Sequence, residues 1–587
     1  MNEQVRPAAV EFRDGRLWST KFGDFYYQQG GRAEPEQVFL GPAAISDRLA
    51  RAELFTVSEF GFGTGMNFAA TVATFLESST ARGRLRYLAF ENQPLHVADL
   101  QRAMSSWQDL HHIRSEFEFA FPPPVAGWHS RHFLGGRVHL AVFVGDVATG
   151  LRQVVSQDQL GVDAWFLDGF APRLNPDMWE SELFSLLSRL TLPNGTVTSF
   201  SVAGHVRRHL AEAGFQVKRI PAPGPKRHTL LARVAESKFR TKTRPRSVTV
   251  AGSGLAGATV ARALSERNVE VRLLAPRVSN QSEASQIPAA IMHARMSNTR
   301  TAQGLFRIHS YCFATVRAAG LAGSTQVGAI HCPGKSFPKS RLEQVREALG
   351  RPWADALDLE EISKQTGIRI NEGAVWFSRS RWVHGQSLRQ ALCDDELITV
   401  EERRLHASDA VEGVVVVATG PALPACVALP PIELTGIWGQ IDEFALHAEL
   451  DHPLIILADG YLALKSGTAF AGSTYEQTPW PPGEATIANR RRLSSLSRHL
   501  IGNRVSTFRA LRAVTSDRLP VVGKAGDGIW ASLGHGSNGT TSTFYAAELI
   551  AAEICGELIP AMSPVLSLLS PMRFAKRQLR RPDPFRP

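Results

Sequence analysis

Short apolar runs at residues 57–60 (VSEF), 87–90 (YLAF), 140–144 (LAVFV) and 164–168 (AWFLD) alternate with stretches of helical periodicity. That alternation predicts a parallel sheet wound with crossover helices. The rhythm restarts at 247–252 (SVTVAG), passes through a helix-like stretch at 257–268 (GATVARALSERN) and returns to an apolar run at 269–274 (VEVRLL). This predicts the opening βαβ unit of a second nucleotide-binding fold. Between the two series lies KFRTKTRPR, residues 238–246, whose five basic residues and proline predict a linker. The last fifteen residues, RFAKRQLRRPDPFRP, set six basic side chains against Asp583 and predict a loose basic arm. From Gly413 to Ile432 no charge interrupts the apolar stretch, but Pro421, Pro424, Pro430 and Pro431 break it. It predicts a buried strand and a loop, not a membrane span.

The length of 587 residues exceeds one ordinary core, which agrees with two or more domains. Lys and Arg total 65 against 55 Asp and Glu, a net charge of +10 that favours a polyanionic partner, nucleic acid first. The five cysteines, Cys312, Cys332, Cys393, Cys426 and Cys555, are widely spaced, which argues against a disulfide framework or zinc ribbon and for a reducing compartment. The start of the chain has no basic and apolar signal pattern, so a cytoplasmic location is expected. His111, His112, His129, His132 and His139 lack acidic or thiol partners at a telling spacing, and no metal is expected.

Candidate chemistry begins at Glu59, Gly61, Gly63 and Gly65, where a G-x-G-x-G loop follows one apolar run and opens a helix. Glycines there let the backbone turn tightly and approach a ligand beside a helix N-terminus. Glu91 ends the next run and Asp146 the one after, acids suited to a ribose and an adenine. Together they resemble an S-adenosylmethionine site more than a dinucleotide site. Asp168 ends a fourth run, where chemistry gathers in open α/β sheets. It is placed to orient or deprotonate an amine attacking a methyl donor, or simply to cap a helix. In the second series Gly252, Gly254 and Gly257 form G-x-G-x-x-G between a strand and a helix, a dinucleotide fingerprint. Ala275, Pro276 and Arg277 stand where its ribose-binding acid is expected.

The runs FGFGTGMNF, DAWFLDGFAPRLNPDMW and GPKRHTLL are similar to the methyltransferase half of the bifunctional tRNA 5-methylaminomethyl-2-thiouridine biosynthesis family. The turn VVVVATG ending at Gly420, the run RAVTSDRLPVVG beginning at Arg512, and Gly534 to Gly539 resemble glycine-oxidase-like FAD enzymes, which form the other half of that family. Near the flavin the family usually has A-S-G-N, whereas Ala284 and Ser285 are followed here by Gln286 and Ile287. The resemblance implies an α/β fold. A Rossmann-like methyltransferase domain spans 1–236, a basic linker 237–246, and a basic tail 571–587. An FAD-binding Rossmann domain with an interleaved antiparallel substrate sheet spans 247–570. It implies oxidative removal of the carboxymethyl group from a wobble uridine of tRNA, then methylation of the exposed amine. Asp168 would orient the amine, and Glu59, Gly61, Gly63 and Gly65 would hold the methionine end of S-adenosylmethionine, Glu91 its ribose and Asp146 its adenine. Pro172, Lys226 and Arg227 would meet the substrate, with Arg207 and Arg208 as further phosphate contacts. FAD would lie against Gly252, Gly254, Gly257, Gly420, Gly536, Ser537, Asn538 and Gly539, with Arg512 pairing the substrate carboxylate. An enzyme using both cofactors on small amines, and a methyltransferase joined to an inactive flavin-domain scaffold, also fit the residues. No membrane partner is expected, and oligomeric state is left open.

Overall fold

The computed structural model describes residues 5–28, 31–105, 107–110, 121–221, 228–237, 239, 244–276, 283–293, 300–335, 337–357, 360, 373–447, 450, 452–497 and 501–580. The chain divides into two compact units, one of Met1–Arg244 with Cys555–Met562, the other of Pro245–Ile554 with Ser563–Pro587.

In the first unit an eight-stranded sheet runs in the order Phe215–Pro221, His228–Val234, Thr191–Ser199, Val162–Leu167, Leu54–Phe60, Arg84–Glu91, Val138–Val144 and Gly127–Phe133. The five strands from Thr191–Ser199 to Val138–Val144 are parallel, and the flanking pairs are antiparallel. Their near-continuous burial is what a sheet covered on both faces requires. Leu54–Phe60 lies between Arg84–Glu91 and Val162–Leu167, so strand order reverses there and opens a crevice at the carboxyl ends. A three-stranded antiparallel sheet, Val10–Arg13, Arg16–Ser19 and Asp24–Phe25, precedes this fold. The segment Cys555–Met562 closes the unit: Leu558 joins its core, and Glu557 accepts from Arg86 at 2.6 Å and Arg84 at 3.4 Å. This segment lies inside the range expected for the oxidoreductase half. Its attachment follows from those two buried guanidinium groups, both of which pair with the Glu557 carboxylate.

The second unit is built on a six-stranded sheet in the order Ile398–Glu401, Glu270–Leu274, Ser247–Ala251, Val414–Val417, Ile529–Leu533 and Val521–Gly526. The first five strands are parallel and the last antiparallel. An eight-stranded, mostly antiparallel sheet includes the long strands Leu434–Leu446 and Ile501–Thr515. The expected loose arm is instead a helix over Arg573–Arg580 as far as it is described. It is fixed because Phe574 is fully buried and Arg573 forks onto Asp517 at 2.9 and 3.1 Å. Residues 581–587, and Lys238, Arg240, Thr241, Lys242 and Thr243 of the linker, lie outside the described residues. Among the described residues no helix is long and apolar enough to cross a membrane.

Candidate active sites

The crevice of the first unit is lined by Glu59, Gly61, Gly63, Glu91, Asp146 and Asp168. Four strand ends therefore converge on one cavity. Gly61 has φ +85°, and a Cβ there would sit 2.4 Å from the Asp168 carbonyl oxygen, so the loop and Asp168 are packed too closely for a side chain. The Glu91 carboxylate accepts from the Gly63 and Gln93 N–H groups at 2.9 and 2.8 Å, bracing the loop from the next strand. Burial pushes its proton affinity up, and those backbone donors pull it down. Asp146 caps the helix Val147–Gln157 by accepting from the Thr149 N–H at 2.9 Å while still lining the cavity.

Glu59 is 1% exposed and its oxygens accept from Asn67 and Tyr87, so the carboxylate expected at the methionine end of the cofactor is engaged inward. Gly65 falls outside the lining: it begins the helix Met66–Ser78 and packs on Phe62 and Phe121. Pro172 also falls outside, while Gly169, Phe170, Asn175 and Asp177 from the same segment line the cavity. Arg207 and Arg208 are exposed on the helix Gly204–Glu212, and Lys226 and Arg227 lie outside the described residues. The sequence did not reveal Asn67, nor the aromatic wall. Phe22 stacks on Phe170 at 4.5 Å and Tyr26 meets it edge-on at 5.2 Å. Burial and the nearby Glu91 hold the Tyr26 phenol protonated far above its ordinary range.

In the second unit a cavity of about 1060 Å³ is lined by Gly252, Gly254, Gly420, Gly536, Ser537, Asn538, Gly539 and Arg512. Gly257 lies outside the lining, where a Cβ would come within 1.7 Å of the Gly252 carbonyl oxygen and block the helix Leu255–Ser265 from its strand. The Ser285 hydroxyl accepts from the Leu255 N–H at 2.9 Å, so the altered 284–287 turn still closes on that helix start. A dinucleotide fits this cradle: glycine backbone at a helix N-terminus, beside a cavity of about 1060 Å³. At the expected ribose-acid position, Pro276 lines the cavity, and Arg403 and Arg404 reach it from beyond the neighbouring strand Ile398–Glu401. Glu401 itself is occupied by Arg272 at 2.9 Å and Arg403 at 2.7 Å.

Arg512 donates to the Ser473 and Ser537 hydroxyls at 3.3 and 3.1 Å and to the carbonyls of Trp438 and Thr474. Its fork is thus preorganised in the cavity wall, with two rotatable hydroxyls on one guanidinium nitrogen that an incoming carboxylate can replace. Tyr461, His293 and His331 also line this cavity and had no sequence signal. His293 meets His331 at 3.1 Å, and burial lowers both, His331 to about 4, so the pair is neutral near pH 7.

Residues 108–235 match an S-adenosyl-L-methionine-dependent methyltransferase family and residues 247–553 an FAD dependent oxidoreductase family. The tRNA 5-methylaminomethyl-2-thiouridine biosynthesis bifunctional protein MnmC of Nitrosospira multiformis is 30% identical, with 96% of this chain aligned to 98% of that protein. The chain belongs to the MnmC family. The MnmC protein of Thiobacillus denitrificans is 29% identical over 98% of this chain and 99% of its own. Glycine oxidase from Geobacillus kaustophilus matches 56% of this chain and 99% of its own at 18% identity and a TM-score of 0.45. The second cavity lies wholly within the part of the chain that matches an FAD enzyme, and the Gly145 to Met178 side of the first lies within the part that matches an S-adenosylmethionine enzyme.

Proposed function

We propose that the chain carries out two successive modifications of a wobble uridine in tRNA. It removes the carboxymethyl group from 5-carboxymethylaminomethyl-2-thiouridine, then N-methylates the 5-aminomethyl product. The observation that carries this reading is the pair of separate nucleotide cavities in a chain aligned almost end to end with bifunctional MnmC. Residues 1–236 with Cys555–Met562 serve methyl transfer, and the rest of 247–570 serves oxidation, joined by 237–246 and followed by 571–587.

In oxidation, the wall formed by Gly252, Gly254, Gly420 and Gly536 to Gly539 would hold FAD, which would supply the two-electron acceptor for the glycine-like carbon next to the amine. Arg512 holds the substrate carboxylate and so presents that carbon, and water cleaves the oxidised C–N bond to give glyoxylate and the free aminomethyl group. In methyl transfer the neutral amine attacks the methyl carbon of S-adenosylmethionine: the N–C bond forms as the C–S bond breaks. S-adenosylhomocysteine leaves, and the proton released by the new ammonium passes to water. Asp168 accepts a hydrogen bond from the amine and fixes its lone pair in line, so catalysis is mainly positioning. Gly61, Gly63, Glu91 and Asp146 line the space for S-adenosylmethionine, with Phe22, Tyr26 and Phe170 restricting water. A cytoplasmic location agrees with five widely spaced cysteines that form no disulfide framework in the sequence. The reading is tested with labelled S-adenosylmethionine and tRNA bearing the aminomethyl group, and separately by glyoxylate release from carboxymethylaminomethyl tRNA. Label in tRNA and glyoxylate in solution are expected; turnover of small amines with neither tRNA overturns it.

A further inference from the structure

Asn67 lies in the first turn of the helix Met66–Ser78, 5% exposed, on the lining of the methyl-transfer cavity. Its side-chain nitrogen donates to Glu59 Oε1 at 2.6 Å and to Asp168 Oδ2 at 2.7 Å. One planar NH₂ group thus reaches two carboxylates carried on neighbouring strands. An amide has two such donors, which no other side chain of this length combines with neutrality. Glu59 is anchored in turn, because the buried Tyr87 hydroxyl donates to its other oxygen at 2.8 Å. A continuous chain, Tyr87 to Glu59 to Asn67 to Asp168, runs from the sheet interior to the cavity.

We propose that Asn67 is a positioning residue of the methyl-transfer site: its amide locks the Asp168 carboxylate against Glu59 and sets the face that Asp168 offers to the substrate amine. This rests on the methyl-transfer reading above. The torsion that turns an aspartate carboxylate is soft and roughly two-fold, so the side chain alone does not fix that face. The Asp168 backbone is held by its close approach to Gly61, and the amide acts on the carboxylate torsion through its bond to Oδ2. The amide also separates two acids that would otherwise repel. Burial and Asp168 both raise the proton affinity of Glu59, while the Asn67 and Tyr87 donors oppose them.

The test uses the full chain, tRNA bearing the aminomethyl group, and S-adenosylmethionine binding by calorimetry. Asn67→Ala is expected to lower kcat on the order of 10²-fold, the usual cost of a misplaced reacting group. Cofactor Kd is expected to stay within about threefold. Asn67→Asp keeps the side-chain shape and puts a third carboxyl between the two. It is expected to move the acidic limb of the kcat profile to higher pH, because each added negative charge raises the proton affinity of Asp168. A purely structural role predicts instead that kcat and cofactor affinity fall together in Asn67→Ala. Unchanged kcat in Asn67→Ala, a kcat loss matched by cofactor loss, or an unmoved limb in Asn67→Asp overturns the proposal. Methyl transfer absent from the unsubstituted chain sinks the underlying reading instead, and Asn67 with it.

Discussion

At the residue scale, the two cavities make opposite demands on single side chains. Asp168→Ala is expected to lower methyl transfer by on the order of 10²–10⁴-fold, the span of a positioned acid–base group, with glyoxylate release unchanged. Separate assays of label transfer and glyoxylate check it, and undiminished methylation would remove Asp168 from the reaction. Arg512→Ala is expected to raise KM for the carboxymethyl substrate about 10–100-fold, the worth of a charge-assisted hydrogen bond, and to leave methylation of the free amine intact. Equal kinetics would leave Arg512 a wall residue held by Ser473, Ser537, Trp438 and Thr474. Asp168 and Arg512 were legible because strand ends and a distinctive run mark them. Asn67 stood in plain view within FGFGTGMNF, yet its role depends on two carboxylates, one 8 and the other 101 positions from it along the chain, that meet only when their strands come together. Glu59 shows the converse: the sequence located it, but Tyr87 and Asn67 decide which way it faces.

At the scale of elements, the alternation of apolar runs foretold the parallel strands and their ends, because strands covered on both faces must be apolar throughout. The N-terminal antiparallel strands escaped notice, since Val10–Arg13 and Arg16–Ser19 are short and half-exposed. They nevertheless precede Phe25 and Tyr26 at the cavity. The terminal helix was hidden by its charge, which Asp517 balances from a distant loop. Gly257→Ala is expected to cost about 1–3 kcal/mol by overpacking the start of Leu255–Ser265 and to weaken FAD binding correspondingly. Flavin fluorescence titration and chemical denaturation measure both. Near the helix Gly539–Ile554, burial lowers His535 from 6.5 to about 4. Between those values the unfolded chain binds the proton and the folded one does not, so the stability from this group falls as pH drops from 6.5 toward 4. Melting of the second unit is expected to show that fall, together with the contribution of His331, and to show less of it in His331→Asn. A pH-independent melt across that range would contradict it.

At the scale of the whole molecule, both nucleotide folds were legible, because each restarts the same strand, glycine loop and helix rhythm. The discontinuity of the first unit was not, since nothing in residues 555–562 states that Glu557 will meet Arg84 and Arg86. Glu557→Gln removes a carboxylate shared by two buried guanidinium groups and is expected to destabilise the first unit by about 3–5 kcal/mol, read from its denaturation midpoint. An unshifted midpoint would mean that the arginines are satisfied without it. The central claim joins the two cavities in one reaction sequence. Its most direct test is nucleoside mass analysis of carboxymethylaminomethyl tRNA after incubation in air with the purified chain, FAD and S-adenosylmethionine. The account predicts the methylaminomethyl nucleoside, with the aminomethyl nucleoside accumulating when S-adenosylmethionine is withheld. A carboxymethylaminomethyl nucleoside that survives unchanged, alongside an aminomethyl tRNA that takes up no methyl group, would contradict it.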